Sequence, residues 1–210
     1  SSLGQLEEVE QNFDILRNTK KIVFGKDISI IPGSIRDFLR KFENLESIQG
    51  DGVVTVENNA FRSLQHLETV TLLNVTTIGE RAFYECYLLE KIDFPSATTI
   101  GGSAFCNCEN LEGVDLPEVT SIGSRAFCNC ENLKGVNLPS ATSIGSSAFY
   151  RCCKLKGVNL PEVTSIGSGA FYNCLNLDEV IAPKTTRIEQ KAFKGCRKWT
   201  KVTVARDCTI

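Results

Sequence analysis

Residues 111–127 read LEGVDLPEVTSIGSRAF, and the chain repeats this pattern at a fixed spacing. The phenylalanine that ends the stretch is one of seven that stand 22 residues apart. These are Phe61, Phe83, Phe105, Phe127, Phe149, Phe171 and Phe193. A period of about 20 to 50 residues is typical of a solenoid, in which each unit buries its apolar face against its neighbours. The spacing therefore predicts a stack of similar coils.

Other apolar residues recur at the same spacing of 22 residues as the phenylalanines, and we call each set of equivalent positions a column. Around Phe127 they are represented by Ile122, Cys130, Leu133 and Val136, and equivalent residues recur in the neighbouring units. A buried thiol packs as a small hydrophobe, so the column of six cysteines is interpreted as part of the core. Its members are Cys86, Cys108, Cys130, Cys152, Cys174 and Cys196.

Each unit also predicts one short strand. The spacing of Val136 and Leu138 places both side chains on one face of an extended segment, because side chains alternate along a strand. Equivalent strands on successive coils would form a parallel sheet. Pro139 follows, and a proline ends such a ladder because it has no N–H to donate.

The rest of each unit is predicted to turn back towards the next strand. A second short extended piece, such as residues 119–122, leads to a recurring glycine at Gly123, where we expect a bend or a positive φ. Ala126, Phe127 and Cys130 then place apolar residues three or four apart, which favours one or two helical turns that close the coil.

These residues and spacings resemble the BspA-type class of leucine-rich repeats. The unit of that class is similar to Leu-x-x-Ile-x-Ile-Pro-x-x-Val-x-x-Ile-Gly-x-x-Ala-Phe-x-x-Cys-x-x-Leu, and the match runs from about Asn44 to Ile210. The resemblance implies an α/β repeat solenoid. It would be a right-handed coil with a parallel β-sheet on one face and short helical turns and second short strands on the other.

The two ends of the chain differ from its middle. Residues 1–33 break the period and are predicted to form a capping segment, with an amphipathic helix followed by two short strands at 21–24 and 28–31. A partner-docking helix is the alternative. Residues 34–210 form an array of about eight units. Ile210 stands in the isoleucine column, so we expect this end to be uncapped, which leaves self-association there open. The helical stripe consists of Leu3, Leu6, Val9, Phe13 and Leu16.

Composition excludes several classes of function. The chain has 210 residues, is 42% hydrophobic and carries a net charge of −2, which is typical of a soluble, ordered unit and favours neither nucleic-acid nor membrane binding. It has no apolar run near the roughly 20 residues of a membrane span. His66 is the only histidine, and a surface position is expected for it. Without a catalytic motif, we predict no enzyme activity and no cofactor.

Two further cysteines offer a specific chemical alternative. Cys106 and Cys128 share one column on adjacent coils, so a disulfide between them is an alternative. Such a bridge requires Cα atoms about 4.4 to 6.8 Å apart, a distance that closely stacked coils could provide. A zinc site is disfavoured because Cys106 and Cys108 are separated by one residue, whereas structural zinc sites use about two to four. No metal site is predicted.

The strand residues that point away from the core form the predicted binding surface, which we call the sheet face. Three glycines on consecutive strands would leave the backbone open there, either because a partner approaches closely or because one glycine was copied by duplication. The sheet face comprises Lys91, Asp93, Gly113, Asp115, Gly135, Asn137, Gly157, Asn159 and Glu179.

The sequence combines a repeat array with the absence of a recognisable set of catalytic residues. This combination predicts a non-enzymatic module that binds a protein through the sheet face. The resemblance implies more, since BspA-type proteins occur mainly on the surfaces of bacteria and of some protist parasites. It implies adhesion to extracellular-matrix or host-cell proteins, and a cell-surface or secreted location. A cytoplasmic scaffold or regulator is the alternative, because many reduced thiols are ordinary inside cells.

Overall fold

The computed structural model describes residues 13–197 and 200–209. Its N-terminal part contains helix α1 (Phe13–Asn18), strands β1 (Lys21–Val23) and β2 (Ile30–Ile31), a 3-10 helix (Gly33–Ile35) and helix α2 (Arg36–Leu39). The predicted helical residues Leu3, Leu6 and Val9, and the terminal Ile210, lie outside the described residues. The other strands are β3 (Ser47–Gln49), β4 (Thr55–Val56), β5 (Thr69–Thr71), β6 (Thr77–Ile78), β7 (Lys91–Asp93), β8 (Thr99–Ile100), β9 (Gly113–Asp115), β10 (Ser121–Ile122), β11 (Gly135–Asn137), β12 (Ser143–Ile144), β13 (Gly157–Asn159), β14 (Ser165–Ile166), β15 (Glu179–Ile181), β16 (Arg187–Ile188) and β17 (Lys201–Thr203).

The odd-numbered strands form the predicted parallel sheet, but in two parts. A four-stranded sheet has the order β1-β3-β5-β7, and a five-stranded sheet runs from β9 to β17. The division coincides with two changes in sequence. The adjacent acidic residues Asp93 and Asp115 are both exposed, and Phe94 replaces the leucine found at Leu116 on the next coil.

The even-numbered strands form a second parallel sheet, which is continuous. Its eight strands run from β2 to β16, and each has two residues. Neighbours pair at the repeat spacing, so that Ile122 lies between Ile100 and Ile144. The register of both sheets confirms the predicted repeat solenoid with second short strands. Strands β1 and β2 each extend one of the sheets by a coil.

The third side of each coil is a run of turns. Beyond Leu39, the described residues contain no helix. Hydrogen bonds close four-residue turns instead, such as Ala126 N–H to Gly123 O at 3.2 Å. The backbone also joins adjacent coils, because the N–H groups of Ser103, Phe105 and Asn107 donate to carbonyls of the next coil at 2.7 to 2.8 Å. The same three bonds recur from the coil of Asn59 to that of Asn173, and we call them the turn ladder.

Left-handed backbone conformations make the turn ladder possible. They recur at two positions in each coil from that of Asn59 onwards, for example Ser103 with φ 54° and Asn107 with φ 65°, and glycine holds one of the two only at Gly169 and Gly195. Gly123 and the equivalent glycines of other coils are not among the residues with a positive φ, so the predicted positive φ at this position was wrong. A Cβ added to Gly145 would lie 2.7 Å from Gly123 C and from Ser124 N, so close approach between coils requires this glycine.

The apolar columns form one continuous core. The rings of Phe105 and Phe127 stack with centroids 5.2 Å apart and planes at 4°, and their neighbours stack similarly. The cysteine column is buried as predicted, although Cys196 is only partly so. Its thiols also donate hydrogen bonds, as from Cys130 Sγ to Phe105 O at 3.2 Å. At the N-terminal end, Leu16 of α1 joins the core.

The helices of the described part of the chain, residues 13–197 and 200–209, are too short or too polar for any of them to traverse a lipid bilayer.

Candidate functional site

The centre of the sheet face is built by strands β9, β11 and β13. Their first residues, Gly113, Gly135 and Gly157, pair directly across the strands. Their third residues form a parallel polar row of Asp115, Asn137 and Asn159. All three polar side chains are exposed. The alternation of a strand thus places a row without side chains beside a row of hydrogen-bonding groups.

The three glycines leave free space on this surface. A Cβ at Gly135 would meet no atom within 4 Å, and one at Gly113 would meet only the oxygen of Gly135, at 3.8 Å. Packing within the chain therefore does not require glycine here, in contrast to Gly145. The result is a shallow open strip of backbone along the middle of the five-stranded sheet.

Hydrogen bonds and charge pairs organise the polar groups from coil to coil. Asn137 Nδ2 donates to Asp115 Oδ1 at 2.8 Å. Beside the strip, Lys134 Nζ donates to Glu112 Oε1 at 2.8 Å. This hydrogen bond, with the positive charge of Lys134, lowers the pKa of Glu112. The carboxylate of Asp115 is thus oriented by a neighbouring amide and remains exposed to a partner.

The structure divides the predicted sheet-face residues into two groups. Seven lie on the five-stranded sheet, ending with Glu179 on β15, whose carboxylate accepts from Lys201 Nζ at 3.0 Å. Lys91 and Asp93 lie on β7, the last strand of the four-stranded sheet. The sequence pattern alone gave no sign of this division, because both groups occupy the same columns.

A groove on the turn side was missed by the prediction. It spans four coils, has a volume of about 480 Å³, and we call it the cysteine groove. The sequence signal was a gap in a tyrosine column, where two small cysteines separate Tyr84 from Tyr150. Its principal lining residues are Arg81, Tyr84, Cys106, Arg125, Cys128 and Tyr150.

The cysteines of this groove are both free thiols. Cys106 and Cys128 are 6% and 8% exposed, and the two thiols interact with each other. This interaction raises the pKa of Cys106 and lowers the pKa of Cys128, which Arg125 and Arg151 lower further. All ten cysteines of the chain are unpaired.

Other candidate chemistry finds little support in the described residues. They contain no cluster of three or more histidine, cysteine or acidic side chains that could hold a metal ion. His66 is exposed, as expected, and borders a depression of about 250 Å³ beside Glu43 and Ser63.

Comparison with known proteins identifies the repeat. A model of the BspA type leucine rich repeat region matches residues 33–156 and 98–210, with six copies. No curated protein matches the chain.

Solved structures share the fold. A leucine rich cell surface protein from Faecalibacterium prausnitzii A2-165 is 22% identical, with a TM-score of 0.55, over 92% of this chain and 62% of that one. A leucine-rich repeat protein from Bacteroides ovatus ATCC 8483 is 20% identical, with a TM-score of 0.58 and the same coverage. The T. pallidum leucine rich repeat protein is 26% identical, with a TM-score of 0.54, over 88% and 74%. The chain spans less than two thirds of the first two proteins. With the family model matched along residues 33–210, the chain belongs to the BspA-type leucine-rich repeat family.

Proposed function

We propose that the chain is a non-enzymatic module of the cell surface that adheres to host or extracellular-matrix proteins through the sheet face. The observation that carries the proposal is the alignment of Asp115, Asn137 and Asn159 beside three unobstructed glycines. A family of repeat proteins whose fold generally serves protein interaction supports the binding role. The F. prausnitzii relative, a cell surface protein, supports the location.

The geometry suits recognition of an extended or flat protein surface. The polar row offers carboxylate and amide groups at the spacing of adjacent strands, about 4.8 Å. The glycine strip lets a partner approach the main chain, because no side chain stands over it. Specificity would then come from the polar row and from the charge pairs beside it.

A triple lysine variant tests the surface. Asp115→Lys, Asn137→Lys and Asn159→Lys together would place three long cations across the polar row. Binding of the purified protein to immobilised fibronectin and fibrinogen would be measured for the wild type and the variant. Saturable binding by the wild type that the variant loses supports adhesion through the sheet face.

The matched control adds lysines to the opposite sheet. Ser121→Lys, Ser143→Lys and Ser165→Lys occupy one outward column of β10, β12 and β14. This control is expected to bind as the wild type does. Equal loss in both variants would indicate a general effect of charge, and unchanged binding by the sheet-face variant would exclude this surface.

The cytoplasmic scaffold remains a second candidate because of one observation. All ten cysteines are free, and reduced thiols are ordinary in the cytosol but uncommon in exported proteins. Localisation in the native cell, by fractionation with an antibody against the chain, separates the two candidates. Recovery in the surface fraction supports adhesion, and recovery in the cytosol supports the scaffold.

A further inference from the structure

The cysteine groove presents two thiols that differ from the others in their surroundings. Five members of the cysteine column have no exposed surface, and their thiols donate to backbone carbonyls; these are Cys86, Cys108, Cys130, Cys152 and Cys174. Cys106 and Cys128 instead line a groove that is open to solvent. A thiol reacts only if a reagent can reach it, so access separates this pair from the core column.

The turn ladder holds the two cysteines side by side. Bonds from Phe105 N–H to Ala126 O at 2.7 Å and from Asn107 N–H to Cys128 O at 2.8 Å bracket the pair. The rings of Phe105 and Phe127, one residue earlier on each coil, are 5.2 Å apart. Neighbouring strands are separated by about 4.8 Å, which lies within the Cα separations that disulfides span. A bridge therefore needs movement of side chains rather than of coils.

Cationic side chains favour one kind of reagent. Arg81 and Arg125 line the groove two coils apart, and both are exposed. Arg81 Nη1 also lies 3.0 Å from Glu80 Oε1, whereas Arg125 has no ion pair among the described residues. Guanidinium groups bind carboxylates through paired hydrogen bonds. The volume of about 480 Å³ is in the range of small-molecule sites, and Tyr84 and Tyr150 line it together with the arginines. The groove thus suits a small anionic molecule that reaches the thiols.

We propose that Cys106 and Cys128 form a reversible dithiol–disulfide site that reacts with small disulfides carrying carboxylates, such as oxidised glutathione. The thiolate of Cys128 attacks one sulfur of the reagent, the S–S bond breaks, and one thiolate leaves. Cys106 then gives up its proton and attacks the sulfur of Cys128, which releases the second thiolate. The protein loses two electrons and two protons, and the reagent takes them up to become two thiols.

The environment of each sulfur agrees with these roles. The neighbouring thiol of Cys106 and the positive charges of Arg125 and Arg151 lower the pKa of Cys128, which favours its attacking thiolate. The same contact and burial raise the pKa of Cys106, which keeps its proton until the mixed disulfide forms. The site lies on the turn side and is independent of the proposed sheet-face function.

The experiment treats the reduced protein with oxidised glutathione and follows it by intact-mass and peptide-fragmentation mass spectrometry. We expect a loss of two hydrogen atoms and a Cys106–Cys128 bridge, without retained glutathione. Cys106→Ser should accumulate a mixed disulfide at Cys128, and Cys128→Ser should not react at the groove. The matched control Cys153→Ser, a half-exposed cysteine outside the groove, should react as the wild type does.

The charge of the reagent provides the second arm. We expect oxidised glutathione to react several-fold faster than cystamine, a small disulfide that carries two amines, and Arg81→Gln with Arg125→Gln to remove that preference. Folding of Cys106→Ser and Cys128→Ser is checked by circular dichroism, and the column of these two cysteines holds tyrosine on neighbouring coils, at Tyr84 and Tyr150. Intact thiols in the wild type, equal reaction at Cys153 and Cys208, or no mixed disulfide in folded Cys106→Ser would each overturn the proposal.

Discussion

The thiol of Cys130 donates a hydrogen bond to the carbonyl oxygen of Phe105, 3.2 Å away on the preceding coil. Cys130→Ala removes this donor and leaves a small cavity, so we expect the free energy of unfolding to fall by about 2 kcal/mol. Chemical denaturation followed by circular dichroism measures the change. Cys153→Ala, a half-exposed cysteine, should stay within about 0.5 kcal/mol of the wild type. Equal losses in both variants would contradict a special role for the buried thiol.

Two glycines of one coil predict opposite responses to a methyl group. Gly145→Ala would place Cβ 2.7 Å from backbone atoms of Gly123 and Ser124, so we expect a loss of about 3 kcal/mol in the free energy of unfolding. Gly135→Ala meets no atom within 4 Å and should be neutral or slightly stabilising. The midpoints of urea unfolding compare the two variants. A similar midpoint shift in both would show that the coils separate easily at Gly145.

The left-handed residues of the turn ladder predict stabilisation by glycine. Ser147 has a φ of 57°, which is unfavourable for a residue with a Cβ. We expect Ser147→Gly to raise the free energy of unfolding by up to about 1 kcal/mol. Its neighbour Ser146 lies outside the left-handed positions, so Ser146→Gly should lower that energy through greater unfolded-state freedom. A thermal melt of each variant provides the measurement, and destabilisation by Ser147→Gly would refute the prediction.

The pair formed by Glu112 and Lys134 predicts a pH effect. Because Lys134 lowers the pKa of Glu112 in the folded state, the pair stabilises the fold at neutral pH, and its contribution is lost as pH falls through that lowered pKa. We expect Lys134→Met to raise the pKa of Glu112 towards its ordinary value. Carbon-detected NMR titration of the Glu112 carboxyl group checks this. Lys184→Met, which removes a different pair with Glu162, should leave the pKa of Glu112 unchanged.

Much of the fold could be predicted because it depends on side-chain chemistry that recurs in register. Phe127, Cys130 and Val136 are apolar or thiol residues that recur every 22 positions, so their residue types predict that they are buried. The alternation of side chains around Val136 correctly predicted a strand. The turn ladder could not be predicted. Its left-handed positions are occupied by residues of different types, such as Arg125 and Ser147. No residue type therefore indicates this conformation, which the neighbouring coils impose.

For the candidate sites too, recurring residue types predict one part, and packing between coils determines the rest. The outward positions Asp115 and Asn137 could be predicted from strand alternation, since pairing in register brings them together. The division that separates Asp93 from Asp115 depends on how two coils pack, which a repeated column does not encode. The cysteine groove arises because Cys106 is much smaller than Tyr84, and a cavity depends on such differences in volume between coils.

The turn ladder also gives the turn side of the molecule an electrical polarity. In an ordinary sheet the peptide dipoles of a strand alternate and nearly cancel. Here the N–H groups of Phe83, Phe105 and Phe127 all point towards the following coil, and the carbonyl groups that they meet point back. Each peptide group carries about 3.5 D, so the aligned groups add as they do along an α-helix. On the turn side the positive pole lies towards the C-terminal coils. The N–H groups of Thr120 and Gly123, on the side of the second sheet, point to the preceding coil and oppose it, so the two sides of each coil present opposite polarity.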